Sequence, residues 1–401
     1  MSMSEARRDL KILFLSTWLP KPCGIATYSH DLAGALLSAE PQTDYRVVAI
    51  NDPGDAFAYP PVVRHELARE DLHGLRRAAA YINASGADVV SLQHEFGIWG
   101  GFDGEFVLRF LDRVNVPVVA TLHAVPLTAS TFNRANRLRI LAGIAQRVDH
   151  VVTFLPAARE YLVATLGLAS ERVSVIPHGA PAYDRAQRPV ARARLGLSDN
   201  LVLTTFGLLS RFKGLADAVR ALPPLVAEFP QLRYRILGRP HPYEPADFYP
   251  GLRRLVADLG LEGAVHFDER FLSDAELADA LLATDIYLTP YHDLAQVSSG
   301  TLTFALSAGC CCVSTPYLYA RQALADGRGV LVPPADPAAL AAALRELLAA
   351  PERRAAIAAA GASYGDTLHW SRIGQRYLAT FLAHALPPDP HFAQLPPLTP
   401  S

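Results

Sequence analysis

The sequence predicts an α/β protein of two doubly wound domains that face each other across a cleft. Three observations carry this expectation. The 401 residues suit two cores of roughly 200 residues each. Short apolar runs alternate with longer amphipathic stretches, in two separate series. Between the series, from His178 to Asn200, the period is lost, and Gly179, Pro181, Pro189 and four arginines take its place. Continuous apolar runs between helices mark parallel strands covered on both faces.

The first series reads as strands at Lys11–Ser16, Arg46–Ile50, Asp88–Leu92, Val116–Leu122, His150–Thr153 and Val173–Ile176. Helical periods fall between them at Tyr28–Leu37, Leu72–Asn83 and Arg134–Arg147. The second series reads as strands at Leu201–Phe206, Tyr234–Leu237, Ala264–Phe267, Ile286–Leu288, Cys311–Ser314 and Gly329–Val332. Its helices are expected at Leu215–Phe229, Asp274–Thr284 and Pro337–Ala349. The expected domains are 1–185 and 198–367. A last helical segment, 368–386, is expected to fold back on the first domain, and a proline-rich tail follows at 387–401.

Composition narrows the function. The formal net charge is −2, which gives no general attraction to nucleic acid. Cys23 stands alone and Cys310, Cys311 and Cys312 are adjacent, a spacing that suits neither zinc nor disulfides, so reduced thiols are expected. No stretch has the form of a secretory signal, and no apolar run approaches the 18 residues or so of a membrane span. A cytoplasmic protein is expected. The helix carrying Arg134, Arg137, Arg139 and Arg147 is basic along part of its surface. A solvated face is the expected reading, and peripheral contact with anionic lipid the rival.

Ligands of doubly wound sheets bind beyond the carboxyl ends of the strands. The segments at those ends therefore decide the chemistry. Gln296-Val-Ser-Ser-Gly-Thr-Leu-Thr-Phe304 follows a strand and opens a helix. Ser298 or Ser299 is a natural N-cap, Gly300 admits close approach, and the free N–H groups of a first helical turn favour phosphate. Phe206-Gly-Leu-Leu-Ser-Arg-Phe-Lys-Gly214 places Arg211 and Lys213 after the second domain's first strand, where cations would balance a departing phosphate. In the first domain, Leu19–Ala26, Gln93–Gly101 and Thr121–His123 bring Gly24, Ile25, His94, Glu95 and His123 to strand ends. Side chains of this kind suit sugar hydroxyls, and Glu95 could also orient an acceptor. There is no G-x-G-x-x-G after a strand and no phosphate loop, and Asp-x-Asp is also missing. No nicotinamide, flavin or metal cofactor is expected.

Several segments together resemble the family-four retaining glycosyltransferases of the GT-B fold, two Rossmann-like domains around a cleft. They are Gly24–Tyr28, Thr121–His123, Val175–Gly179, Gly207 with Lys213–Gly214, Ile236–Gly238, Ala305–Gly309 and Val330–Pro334 followed by Asp336. The resemblance implies a nucleotide-diphosphate sugar bound mainly by the second domain, Gly238 included, with a hydroxyl acceptor against the first. It implies that Lys213 and the backbone of Ser299–Thr301 meet the donor phosphates and that His123 lies beside the donor sugar. The loop Cys23–Ile25 would approach the phosphate or the acceptor. Anomeric configuration would be kept, without a metal. The chain departs from the family pattern of paired glutamates with seven residues between them, since these fall on Gln296 and Phe304. Gln296 can still hydrogen-bond sugar hydroxyls, whereas Phe304 offers only a ring. The family's arginine beside the phosphates falls on Leu208, with Arg211 close by. The departures keep two rivals open: a sugar-phosphate-dependent transferase or phosphorylase of the same fold, and a catalytically silent glycan- or partner-binding relative.

Overall fold

The computed structural model describes residues 10–385 apart from Ser130 and Tyr243. The tail expected at 387–401 lies outside the described residues, as does the last residue of the helical segment expected at 368–386. A seven-stranded sheet contains β1 (Lys11–Ser16), β2 (Asp44–Asn51), β3 (Val63–Ala68), β4 (Val89–His94), β5 (Val118–Leu122), β6 (His150–Thr153) and β7 (Val173–Val175), in spatial order β3-β2-β1-β4-β5-β6-β7. A six-stranded sheet contains β8 (Leu201–Phe206), β9 (Leu232–Leu237), β10 (Val265–Asp268), β11 (Ile286–Thr289), β12 (Cys311–Ser314) and β13 (Val330–Leu331), in order β10-β9-β8-β11-β12-β13. The paired strands of both sheets run parallel. In each sheet the order reverses beside the first strand, at β1–β4 and at β8–β11. Such switch points open a crevice at the strands' carboxyl ends.

Central strands such as β4 and β5 are buried at every residue, as helices on both faces require. β3 was not expected from the sequence. Val63, Arg64, His65 and Glu66 alternate between partly buried and exposed at the sheet edge and only Leu67 is fully buried, so it carries no apolar run.

The Trp370–His384 helix lies along the Gly24–Ala39 helix of the first sheet. An added Cβ at Gly374 would stand 2.7 Å from that of Ala35. The buried hydroxyl of Tyr377 lies 2.7 Å from that of Tyr28 and 3.1 Å from Thr121 Oγ1, and Trp370 Nε1 donates to Asp31 at 3.1 Å. The arginine-rich linker is fastened to the second sheet. Arg188 and Arg192 grip the two carboxylate oxygens of Asp285 at 2.6 and 3.1 Å, and Arg185 donates to the Ser307 carbonyl and pairs with Asp366. The cysteines are free thiols, with Cys310, Cys311 and Cys312 buried. Burial pushes Cys310 and Cys311 up to about 12, away from reactive thiolate character.

The basic helix face is largely compensated. Arg137, Arg139 and Arg147 pair with Asp103, Glu105 and Asp112, and Arg134 donates to the Tyr161 hydroxyl at 2.6 Å. Guanidiniums paired in this way offer little net charge to a lipid surface. No helix among the described residues is long and apolar enough to cross a membrane.

Candidate active site

A cavity of about 480 Å³ opens between the two sheets, at the carboxyl ends of their strands. On one side it receives the N-terminus of the Gly300–Ser307 helix. Ser299 is the N-cap, and its hydroxyl accepts from the Leu302 N–H at 3.4 Å. The N–H groups of Gly300 and Thr301 precede the helix's own hydrogen bonds, and both residues line the cavity. Opposite stands a second helix start, Gly24–Ala39, whose N-cap Cys23 makes no side-chain cap bond. Two positive helix ends therefore meet one cavity, which favours an anion there.

Lys213 adds a full charge. It ends the short 3-10 turn Arg211–Lys213 after β8, and its ammonium sits 3.8 Å from the centroid of the Tyr291 ring. That stacking is worth about 0.5–2 kcal/mol and aims a long side chain. Tyr291 is itself fixed, its hydroxyl 3.0 Å from Thr301 Oγ1. The ring thus ties the cation to the helix start. The Lys213 loop is also sewn to the loop after β11, where His292 N donates to the Phe212 carbonyl at 2.8 Å and His292 Nε2 lies 2.6 Å from Asp217 Oδ2.

Gly238 closes the floor. Its φ is +120°, and an added Cβ would stand 2.0 Å from the Gly207 carbonyl oxygen. Only glycine lets the turns after β8 and β9 touch backbone to backbone. Gln296 donates to the Ser298 carbonyl at 2.6 Å, while Ser298 Oγ donates across the cleft to the His123 carbonyl at 3.0 Å. Phe304 forms an apolar wall, its ring centroid 6.3 Å from those of both His178 and Phe206.

On the first-sheet side, His123 Nε2 lies 2.9 Å from Gln93 Oε1, and the Gln93 amide donates to Ser91 at 3.0 Å. An acceptor oxygen at Nε2 places the ring proton there. Burial holds His123 well below its ordinary value, with His178 and His94 adding to the effect, so the ring is neutral. Glu95 borders the cavity, and its carboxylate accepts from the Gly97 N–H at 2.6 Å. Burial raises its pKa, which that bond partly offsets.

Of the residues expected from the sequence, twelve line this cavity: Gly24, Ile25, Glu95, His123, Lys213, Gly238, Gln296, Ser298, Ser299, Gly300, Thr301 and Phe304. Two do not, and they are corrections. Arg211 is drawn to Glu244, 3.1 Å away, and lies outside the cavity lining. His94 is fully buried beneath the site, edge-on to Phe96, and neither ring nitrogen has a partner among the described residues. At the end of β4 its side chain alternates into the core, while the next residue, Glu95, reaches the cavity.

His94 gives a stability prediction. Burial lowers its pKa from 6.5 to about 3. Below pH 6.5 the unfolded chain takes up a proton that the folded one refuses, so stability present above pH 6.5 is lost as pH falls toward 3. The slope is at most about 1.4 kcal/mol per pH unit. In thermal melts, His94→Leu is expected to raise the midpoint at pH 5 relative to the parent and to change it less at pH 8. Parallel pH profiles for the two proteins would contradict this.

Several cavity residues carried no assignment from the sequence. His178, Asp31, Arg270 and Asp274 line it. Arg270 is held at 2.8 and 2.9 Å by Asp268 and Glu276, so much of its charge is spent locally. Asp31 is raised by burial, and His30 partly offsets this.

Two parallel-sheet Rossmann-like domains around such a cleft define the GT-B fold. HepE from Anabaena, solved with UDP and glucose, superposes with a TM-score of 0.74 at 19% identity, covering 93% of this chain and all of that one. Sucrose-phosphate synthase from Thermosynechococcus elongatus gives 0.73 at 21% identity, covering 93% of this chain and all of that one. The family model for glycosyltransferase family 4 matches residues 22–182, and that for glycosyl transferases group 1 matches 200–350. A D-inositol 3-phosphate glycosyltransferase of Kineococcus radiotolerans is 31% identical over 308 residues, 67% of each chain. A phosphatidyl-myo-inositol mannosyltransferase of Mycolicibacterium smegmatis is 31% identical over 285 residues, 68% of this chain and 66% of that one. The chain belongs to glycosyltransferase family 4.

Proposed function

We propose that the protein transfers a hexosyl group from a nucleotide-diphosphate sugar to a hydroxyl acceptor with retention of configuration. One observation carries the reading most: the Lys213 ammonium and the open N-terminus of the Gly300–Ser307 helix border the same cavity, tied through Tyr291. A diphosphate seated there has its charge balanced by an ammonium and by helix N–H groups, so the leaving group departs without needing a metal ion. HepE, solved with UDP and glucose, supports the donor class by likeness of fold.

The sugar then lies toward Gln296 and His123. Gln296 has its amide committed to Ser298 and offers its carbonyl oxygen to sugar hydroxyls. The acceptor enters along Gly24, Ile25 and Glu95. In the transfer the anomeric carbon–phosphate oxygen bond breaks and a bond to the acceptor oxygen forms on the same face. The hydroxyl proton passes to the departing diphosphate. Neutral His123, with its Nε2–H committed to Gln93, can accept a hydrogen bond at Nδ1 and carries no charge.

A thermal-shift panel of UDP, GDP, ADP and hexose 1-phosphates tests the donor class. A nucleoside diphosphate is expected to raise the melting temperature with concentration, adding about 2.7 kcal/mol of stability at a hundredfold excess over Kd. A shift with hexose 1-phosphates alone would favour the phosphorylase reading. No shift with any of them would favour the silent relative.

A further inference from the structure

His178, in the loop after β7, belongs to the first sheet's side of the cavity and touches the phosphate cradle. An added Cβ at Gly300 would stand 2.9 Å from both Cε1 and Nε2 of its ring. Its other nitrogen, Nδ1, lies 2.7 Å from the Gly179 carbonyl. A carbonyl oxygen only accepts, so Nδ1 carries the proton and Nε2 is a bare lone pair. The residue is 8% exposed and borders the cavity. A lone pair beside a site built for an anion is a mismatch, and it is relieved if Nε2 binds a proton.

We infer that His178 takes up a proton from solvent at Nε2 when a diphosphate enters the cradle, and so becomes a second cation facing Lys213 across the leaving group. The inference rests on the diphosphate reading above. The geometry lets the cation form without moving the ring: Nδ1 stays on Gly179, and the new Nε2–H points to the helix start. The surroundings explain why the charge waits for the ligand. Tyr28 packs edge-on with ring centroids 4.9 Å apart, Phe154 lies at 5.7 Å, Trp370 at 6.1 Å and Phe304 at 6.3 Å. The ionisable groups that face it are Tyr28, whose phenol burial keeps protonated, and His123, which is neutral. Asp31 stands behind Trp370, bonded to the indole. No carboxylate among these touches the ring, and burial, partly offset by the Gly179 carbonyl, holds the ring down to about 4. An incoming diphosphate supplies the missing opposite charge and raises it.

The consequence is proton-linked binding, measurable on the whole chain. Calorimetric titrations with UDP, GDP and ADP at pH 7, in buffers of different ionisation enthalpy, count the protons exchanged per ligand bound. The parent is expected to take up a substantial fraction of a proton. His178→Gln is expected to take up a substantial fraction of a proton less than the parent, leaving only the exchange of the ligand's own terminal phosphate, and to bind about tenfold more weakly, the loss of one charge-assisted contact. Lys213→Ala is expected to bind weakly but keep the uptake. Melting curves establish that each variant is folded. Equal proton counts in the parent and His178→Gln would overturn the inference while leaving the diphosphate reading intact. No binding of any diphosphate would overturn both.

Discussion

Lys213→Ala is expected to lower turnover at least about tenfold, equivalent to about 1.4 kcal/mol or more of transition-state stabilisation. The charge on a diphosphate grows as the bond to the sugar breaks, so a cation beside it acts more on the transition state than on the bound donor. The effect should therefore fall on kcat as well as on KM for the donor. Lys213→Arg keeps the charge but not the compact ammonium that stacks on Tyr291, and should recover only part of the rate. The variant should stay folded, because Lys213 is anchored through one ring contact and its loop is held by His292 N on the Phe212 carbonyl. Steady-state kinetics with each donor that binds will show this. An unchanged kcat in Lys213→Ala would remove the lysine from the chemistry.

The largest stability effect is expected one residue further along. Gly214 has φ +65°, and an added Cβ would stand 1.8 Å from the Pro290 carbonyl oxygen. Left-handed backbone disfavours any side chain by about 1 kcal/mol. The clash is with backbone and cannot be relieved by a rotamer change. Gly214→Ala must therefore push apart the two loops that carry Lys213 and Tyr291. A loss of about 3 kcal/mol or more is expected, seen as a lower denaturant midpoint. Donor binding should weaken with it, because the same displacement separates the ammonium from the helix start. Gly260→Ala is the control: it also has positive φ, +66°, but nothing stands within 4 Å of an added Cβ. It should lose only the strain. Equal losses in the two variants would show that the contact with Pro290 is unimportant.

Much of the fold was legible because its strands are unusually plain. β1, β6, β8 and β12 have the bounds that their apolar runs suggest. Two of the elements that escaped notice lack such runs. β3 sits at an edge with one face wet, and the Pro351–Asp366 helix is Ala- and Gly-rich, a weak signal. Its small residues make sense only in three dimensions: an added Cβ at Gly365 would stand 2.7 Å from the Ser307 backbone. At the site, residues adjacent to strand ends were findable, since the parallel sheet fixes where those ends point. Lys213, Gln296 and Ser299–Thr301 are of this kind. His94 was misjudged by one residue, because alternation turns His94 inward and Glu95 outward. Arg211 was misjudged because its partner, Glu244, is 33 residues away in sequence. His178 stood in a segment noted for family likeness, yet nothing in the sequence shows that its ring rests on Gly300.

A structure of the protein crystallised with UDP gives the sharpest test. The expected result is a diphosphate accepting hydrogen bonds from the Gly300 and Thr301 N–H groups, with the Lys213 ammonium within salt-bridge distance. Density for UDP elsewhere on the molecule, or a diphosphate in the cleft with Lys213 turned away from it, would contradict the proposed chemistry.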